Sequence, residues 1–558
     1  MADWLHQRAA DWPGQLAADR PRQLAADRPG QLAADELVVV LDCGATNARA
    51  VAVDTAGEVV ASVSLPNQPV RQDDAPRNWR IWPLEAVFGK LAGACAEALA
   101  EVDPGRVAAV TVTTFGADGA PVDAANELTY PVISWQCPRT EDLAASMADR
   151  IDPWELFRTT GYQVIPFNTL LKLIWLRENA PEALEGAETW LMMPGLLSMM
   201  LCGERSIDPT AAGTMMAMEM ARRGRIGSAN SQQIGFANSH WSDEVLALAG
   251  LDASFFPHWV EPGEVIGEVT ADAAEQTGLP EGVPVVAAGH DTQFAAVGSG
   301  ARPDEAILSS GTWEILMLRQ ETYEATREGF EAGLIIEADA EPGRWNPQLL
   351  MMGSGPLEWI REQLFIDIPA RATAYERMIM AAEEVEPGAG GVMMIPSFVP
   401  DTGPSAPHRT KGTLLGIGLN TSRAQIYRAG LEGLCYQLRH AAEVLTLSTG
   451  FEPRGIRLVG GGAKNNLWTR LRADVTGLPV TTISNEEATV AGAAIFAFIG
   501  AGTFASVEEG RQAAELGERT VEPSDEAPVY DELYAAYRAL PPALERHYRG
   551  DAVARGDA

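Results

Sequence analysis

The chain has 558 residues, 46% hydrophobic and 21% charged, a globular composition too long for one core, so two or more large domains are expected. With 76 acidic against 42 basic residues its formal charge is -34, and without a basic run this excludes nucleic acid and anionic membranes as partners. Its five cysteines, Cys43, Cys95, Cys137, Cys202 and Cys435, are scattered with no Cys-x-x-Cys, which argues against a disulfide framework or structural zinc and fits a reducing cytoplasm.

Met1 to Glu36 lacks the apolar centre of a signal peptide. It carries instead an eight-residue repeat beginning at Pro13, Pro21 and Pro29. One leucine and one proline per repeat cannot bury a continuous face, which predicts a mobile tail over 1–36; a start codon called early and a partner-binding arm are the alternatives. The folded part opens with Leu37–Leu41 as a buried strand, Asp42 to Asn47 as a turn, Ala48–Val53 as a second strand, and Asp54 to Gly57 as the hairpin to a third at Glu58–Val63. Asp-x-Gly-x-Thr at the end of a buried strand has a chemical use. Gly44 lets backbone amides approach phosphate oxygens, Thr46 donates to them, and Asp42 can hold a hydrated magnesium ion. The same spacing also makes an ordinary hairpin, and Arg49 suits either a phosphate or solvent.

Val107–Thr114 and Tyr130–Trp135 read as further strands, ending in Phe115-Gly-Ala-Asp118-Gly and in Gln136-Cys-Pro-Arg139. Polar residues at the ends of adjacent strands are where open α/β sheets bind ligands; core packing for Trp135 and a surface ion pair for Arg139 are the plain alternatives. Ile151 to Gly203 has helical periodicity, and its apolar stretch Trp190–Cys202, broken by Pro194 and Gly195, is too short to span a bilayer. Arg222 to His240, rich in Gly, Asn, Ser and Gln, predicts a surface loop, and Glu261 to Thr270 a strand pair leading to a division near Glu281.

The second half repeats the first. Val283–Ala288 reads as a strand, Gly289 as a tight turn, and Thr292 as the cap of a helix over Gln293–Val297, with Asp291 at its start. A carboxylate there accepts a proton from a substrate hydroxyl, as a phosphoryl-transfer base must, or merely caps the helix. Ala306 to Leu316 is again strand, Ser-Gly-Thr turn, strand, and two such hairpins, one near the start of each half, argue for a shared role. Ile456–Val459 then runs into Gly460-Gly461-Gly462-Ala463-Lys464-Asn465 before a helix to Val475. Such glycines let a nucleotide lie on bare backbone at a helix N-terminus, although a triple glycine also serves as a flexible turn.

Asp42-Cys-Gly-Ala-Thr46, Gly289-His-Asp-Thr292, Ser309-Ser-Gly-Thr312 and Gly460-Gly-Gly462, in this order, resemble the FGGY family of carbohydrate kinases over about Leu37 to Tyr548. Leu41 to Asn47, Thr113 to Gly119, Ile133 to Thr140, Gly289 to Ala295 and Leu308 to Leu316 are most similar to the family branch acting on L-fuculose. The resemblance implies an α/β fold of two actin/hexokinase-like (ribonuclease H-like) domains with a cleft between them, 37–281 on the sugar side and 282–548 on the nucleotide side. It implies ATP, Mg2+ and an open-chain ketose as ligands, cytoplasmic location, no membrane or nucleic-acid partner, and it allows a homo-oligomer. By the same resemblance Asp291 is the base. Asp42, Gly44, Thr46 and Asn47 form the first phosphate turn, with Asp42 reaching magnesium through water. Gly311 and Thr312 form the second turn, and Gly461, Gly462 and Asn465 the nucleotide pocket. His290, Asp118, Trp135 and Arg139 are the candidates for sugar contacts. Many members carry an aspartate two residues before the arginine matching Arg139; Cys137 stands there instead, which accords with a 6-deoxyketose whose methyl end meets Phe115 or Phe167. Other ketoses, a non-catalytic sugar- or nucleotide-binding regulator, and a chaperone-like or filament-forming ATPase are the rivals.

Overall fold

The computed structural model describes residues 36–223, 240–399, 402–483, 487–514 and 517–554. The expected tail, save its last residue Glu36, and all but the ends of the expected loop at 222–240, lie outside them. Leu37-Val-Val-Val-Leu-Asp-Cys is buried along its whole length, as a β-branched run between two helical layers should be. It is β1 (Leu37–Cys43) of a six-stranded sheet with β2 (Asn47–Asp54), β3 (Val59–Pro66), β4 (Val107–Thr114), β5 (Val265–Glu268) and β6 (Pro284–Val286), in the order β5-β6-β4-β1-β2-β3. A seven-stranded sheet holds β7 (Glu305–Ser310), β8 (Trp313–Met317), β9 (Ile335–Ala338), β10 (Trp345–Met352), β11 (Gly455–Val459), β12 (Val480–Ile483) and β13 (Glu518–Val521), in the order β9-β10-β8-β7-β11-β12-β13.

The two sheets share one plan. In the first, β1, β2 and β3 pair antiparallel, β4 lies parallel to β1, and β6 parallel to β4. In the second, β7, β8 and β10 pair antiparallel, β11 lies parallel to β7, and β12 parallel to β11. An antiparallel strand, β5 or β13, closes the far edge of each, and β9 extends the second sheet beyond β10. Because a hairpin joins the first two strands in each, both sheets present a tight turn at the end where their parallel strands finish. β6 belongs to the first sheet, so the residues immediately after Glu281 continue that sheet.

The helices that matter are α1 (Leu84–Leu99), α2 (Thr169–Asn179), α3 (Asp291–Gly298), α4 (Arg423–Thr449), α5 (Asn466–Thr476) and α6 (Ala488–Ala501). The period of two along β1 sorts its side chains between two layers. Val39, Leu41 and Cys43 join Val87, Phe88 and Leu91 of α1 in one core. Val38 and Val40 join Phe294 and Val297 of α3 and Val490 and Phe496 of α6 in another. Thus one face of the first sheet is covered by a helix that follows β12 of the second. α3 and α6 cross closely. A Cβ on Gly492 would lie 1.9 Å from the Phe294 carbonyl oxygen and one on Gly298 2.0 Å from that of Ala488, so both positions require glycine.

Three expectations change. Only Val132–Ile133 of the expected strand Tyr130–Trp135 is paired. Within the expected helical region Thr189–Met192 is a strand, antiparallel to Gly119–Val122. α3 begins at Asp291 with His290 at its cap position and no side-chain cap bond; Thr292 donates to Asp291 Oδ1 at 3.2 Å instead. All five cysteines are buried free thiols, and no helix of the described residues is long and apolar enough to cross a membrane.

Candidate active site

The chemistry-bearing residues of the first half gather where β1, β4 and the continuation of β6 end side by side. Asp42 is opposite Thr113 in the parallel register. Thr114 N–H and Thr113 Oγ1 donate to the Gly289 carbonyl at 3.0 and 3.1 Å, and Thr114 Oγ1 donates to the Cys43 carbonyl at 2.8 Å. These bonds seat the Gly289-His290-Asp291 turn beside the end of β4, which lies next to β1. Gly289 is obligatory, since a Cβ there would lie 2.2 Å from both Asp208 Oδ1 and Thr210 Oγ1. Thr210 Oγ1 in turn accepts from His290 N–H at 2.8 Å. Burial pushes the neighbouring Asp208 carboxyl up to about 6.

Asp291 sits at the first turn of α3, and its side chain is 31% accessible. Asp42 is buried, and burial pushes its carboxyl above the usual range against the opposing pull of Arg49. Arg49 binds Asp42 Oδ2 and, at 2.8 and 2.9 Å, both oxygens of Glu487, the residue preceding α6. The arginine is therefore an internal tie between the halves, a role the sequence left between phosphate and solvent. Asp42 Oδ1 remains for a ligand. No group of three or more His, Cys, Asp or Glu suited to a metal occurs among the described residues. A magnesium ion needs only one or two carboxylates when it keeps its waters and shares phosphate oxygens, and Asp42 fits that use. Beside it the three-residue turn Gly44-Ala45-Thr46 is closed by Gly44 N–H to the Asn47 carbonyl at 2.8 Å, with Thr46 and Asn47 exposed.

The second half builds the matching end. Gly311 and Thr312 are exposed in a turn closed by Gly311 N–H to the Trp313 carbonyl at 2.8 Å. The Gly460–Gly462 loop leans on the last residue of β7. A Cβ on Gly462 would lie 2.0 Å from Ser310 Oγ, whereas one on Gly461 would meet nothing within 4 Å. Behind the turn Arg472 binds Glu314, donates to Ser310 Oγ at 2.7 Å and lies over the Trp468 ring at 3.7 Å. This buried cluster fixes the hairpin and the glycine loop in one geometry. Asn465 caps α5 by accepting from Trp468 N–H at 3.1 Å and donates to Tyr427 OH at 3.3 Å.

The expected sugar contacts divide. His290 and Trp135 are partly accessible, and Trp135 meets Phe167 edge to face at 6.4 Å. Asp118 has no exposed surface. One of its oxygens binds the Lys172 ammonium of α2; the other accepts from Trp82 Nε1 at 2.7 Å and from Trp135 N–H at 3.0 Å. Asp118 is thus an internal counter-ion that orients Trp135, with no oxygen offered to a ligand. Arg139 is also buried. It donates to Cys137 Sγ, Tyr130 OH and Gln72 Oε1 and lies over the Trp79 and Trp175 rings at 4.2 and 5.0 Å. A plain surface ion pair does not describe it. Phe115 is buried on Trp82, with ring centroids 4.8 Å apart.

Two relay residues were not expected, Glu337 of β9 and Gln293 of α3, both buried behind His290. Glu337 had a signal, a charged residue inside the apolar run Ile335-Ile336-Glu337-Ala338, whereas Gln293 follows the polar His290-Asp291-Thr292 and had none.

The first part of the chain, residues 37–225 and 226–298, matches the N-terminal domain of the FGGY family of carbohydrate kinases, and residues 306–501 match its C-terminal domain. The chain belongs to the FGGY family. It is 38% identical over 500 residues to an L-fuculokinase of Escherichia coli (strain K12), covering 89% of this chain and 99% of that protein. It is 32% identical over 493 residues to the L-fuculokinase of Haemophilus influenzae, covering 88% and 100%. The crystal structure of a xylulose kinase from Rhodospirillum rubrum has a TM-score of 0.79 at 24% identity, covering 92% of this chain and 100% of that one. The fold is thus the two-domain FGGY kinase fold, and the twin sheets with twin hairpins are its two halves.

Proposed function

We propose that this FGGY kinase transfers the γ-phosphoryl group of ATP to the C1 hydroxyl of L-fuculose, giving L-fuculose 1-phosphate and ADP. The observation that carries the reading is the placement of a partly accessible carboxylate, Asp291, beside Asp42 at the strand ends of the first sheet, in a chain so similar to L-fuculokinases along its length. In this reading Asp291 takes the proton of the attacking hydroxyl. The sugar lies on the side of the first sheet, between 37 and 281, against His290 and Trp135. The nucleotide lies on the side of the second sheet, its phosphates between the Gly44–Asn47 and Gly311–Thr312 turns and the remainder along Gly461, Gly462 and Asn465. Asp42 Oδ1 would hold hydrated magnesium, which when bound neutralises phosphate charge. Thr46 and Thr312 offer hydroxyls to phosphate oxygens, and the N-terminus of α5 favours negative charge.

Two measurements test this. Across L-fuculose, L-rhamnulose, D-xylulose, L-ribulose, D-ribulose and glycerol, ADP formation with Mg-ATP is expected to show the highest kcat/KM for L-fuculose. A preference for another ketose retains the kinase and rejects the substrate, and turnover without any sugar rejects the acceptor reading altogether. For the nucleotide, Gly461→Val is expected to fold normally, since the space above Gly461 is open, and to raise KM for ATP by about tenfold or more by filling the place of the nucleotide. Gly462→Val is expected to lower the melting temperature instead, because its side chain collides with Ser310. Unchanged ATP kinetics in a folded Gly461→Val protein would remove Gly461 from the pocket.

A further inference from the structure

We propose that Glu337, on the outermost strand of the second sheet, is a positioning residue for the reaction: it holds the His290 imidazole from behind and sets the edge that ring presents to Asp291. This rests on the reading of Asp291 as the base.

The geometry is a relay across the two halves. Glu337 Oε2 lies 3.5 Å from His290 Nδ1, and His290 Nε2 lies 3.5 Å from Asp291 Oδ1; both are ion-pair contacts, and the buried Nδ1 makes no hydrogen bond. Glu337 is itself fixed on both oxygens, by Tyr162 OH on Oε1 and by Gln293 Nε2 on Oε2. Gln293 Oε1 accepts from Asn346 Nδ2, and Asn346 is the register partner of Glu337 on β10. Glu337, Gln293 and Asn346 are each at most 1% exposed. Nothing polar is spent here on solvent. A buried carboxylate in a low-dielectric setting needs a cation or several donors. Tyr162 and Gln293 supply two donors and His290 supplies the charge.

The charged groups facing His290 are Glu337, Asp291 and Asp208. Burial works against the imidazolium, but Glu337 and then the two aspartates outweigh it, so His290 is pushed up to about 9. Glu337 is held below the usual carboxylate range, His290 and Tyr162 overcoming the opposite effect of burial. An imidazolium with a raised pKa persists through neutral pH and is lost as pH rises through about 9. Beside Asp291 it favours the ionised carboxylate that a base must be before transfer. With Gln at 337 the counter-charge goes, burial then dominates, and the ring is neutral at physiological pH.

The test uses the full-length chain with histidine labelled at Cε1, the His290 signal being assigned by its loss in His290→Gln. In the wild-type protein that signal is expected to stay that of an imidazolium from about pH 6 to 8; a neutral His290 at about pH 7.5 overturns the proposal. In Glu337→Gln the ionisation is expected below about pH 6.5. Kinetically, Glu337→Gln should lower kcat by about 10- to 100-fold at neutral pH with KM for Mg-ATP nearly unchanged, and its rate should fall as pH rises through the lowered ionisation, below about pH 6.5, where the wild type is flat. Glu337→Asp, which keeps the charge, should recover part of kcat. A folded Glu337→Gln enzyme with wild-type rate and pH profile overturns the proposal, and if that variant does not fold, the wild-type signal decides. A wild type with no sugar-dependent turnover would fault the functional reading, while the histidine titration reports on Glu337 regardless.

Discussion

Asp291→Asn is expected to leave a folded, nucleotide-binding protein whose kcat is reduced by about 10²-fold or more. The substitution keeps the size of the side chain and loses only its charge and proton affinity. The Asp291 side chain is partly accessible, and its one hydrogen bond is a 3.2 Å contact from the adjacent Thr292, so little of the fold hangs on it. Its backbone position is fixed independently, by the bonds of Thr113 and Thr114 to Gly289 and by the contact of α3 with α6. The measurement is steady-state ADP formation beside calorimetric titration of nucleotide and a thermal melt. Retention of near wild-type kcat would remove Asp291 from the role of base, and loss of folding would show that it carries stability this geometry does not assign to it.

The second large effect belongs to Asp118, as stability rather than substrate affinity. Burial pushes the Asp118 carboxyl up and the Lys172 amine down, and the ion pair with its added bonds from Trp82 and Trp135 opposes both. Removing one partner strands the other: Asp118→Ala leaves the Lys172 ammonium with the Ala117 carbonyl, 2.8 Å away, as its remaining partner. The expected cost is about 3–5 kcal/mol, which in a domain of this kind lowers Tm on the order of 10 °C. Asp118→Leu combined with Lys172→Met should recover much of that loss, since an apolar pair of similar volume avoids the desolvation. A direct sugar contact would behave differently, raising KM for the ketose with Tm unchanged. That outcome would return Asp118 to the binding site.

How far the sequence could be read depended on the range of the interaction. β1 and β4 are short runs rich in valine and threonine, and the hairpins at Gly44 and Gly311 are marked by small residues beside apolar strands, so strands and turns were local facts. Asp291 at a strand-to-helix junction was local too. Tyr130–Trp135 shrank to Val132–Ile133, an edge of a three-stranded sheet, where Pro131 has no N–H to carry the pairing further. Thr189–Met192 hid in a helical region because four residues, three of them apolar, are too few to show a period. The fates of Asp118 and Arg139 were set by partners distant in the chain, Lys172 at one and Gln72 with Trp79 and Trp175 at the other. Glu314 with Arg472, and Arg49 with Glu487, are likewise pairings that spacing does not reveal. A charged residue within an apolar strand does announce that some partner exists, and Glu314 and Glu337 both gave that sign.

The cover of the first sheet by α6 bears on how the chain is made. Val38, Val40, Val51 and Val53 face Val490, Phe496 and Phe498, so the first strands to leave the ribosome wait for residues near 490 before that face is shielded. Translation proceeds at roughly 5–20 residues per second, which leaves a valine-rich surface open for tens of seconds unless something else occupies it. A fragment ending with the N-terminal family domain at residue 298 would keep α3 on this face and lose the cover of α6. The N-terminal family match, ending at residue 298, therefore leaves α6, part of the cover of this face, outside it.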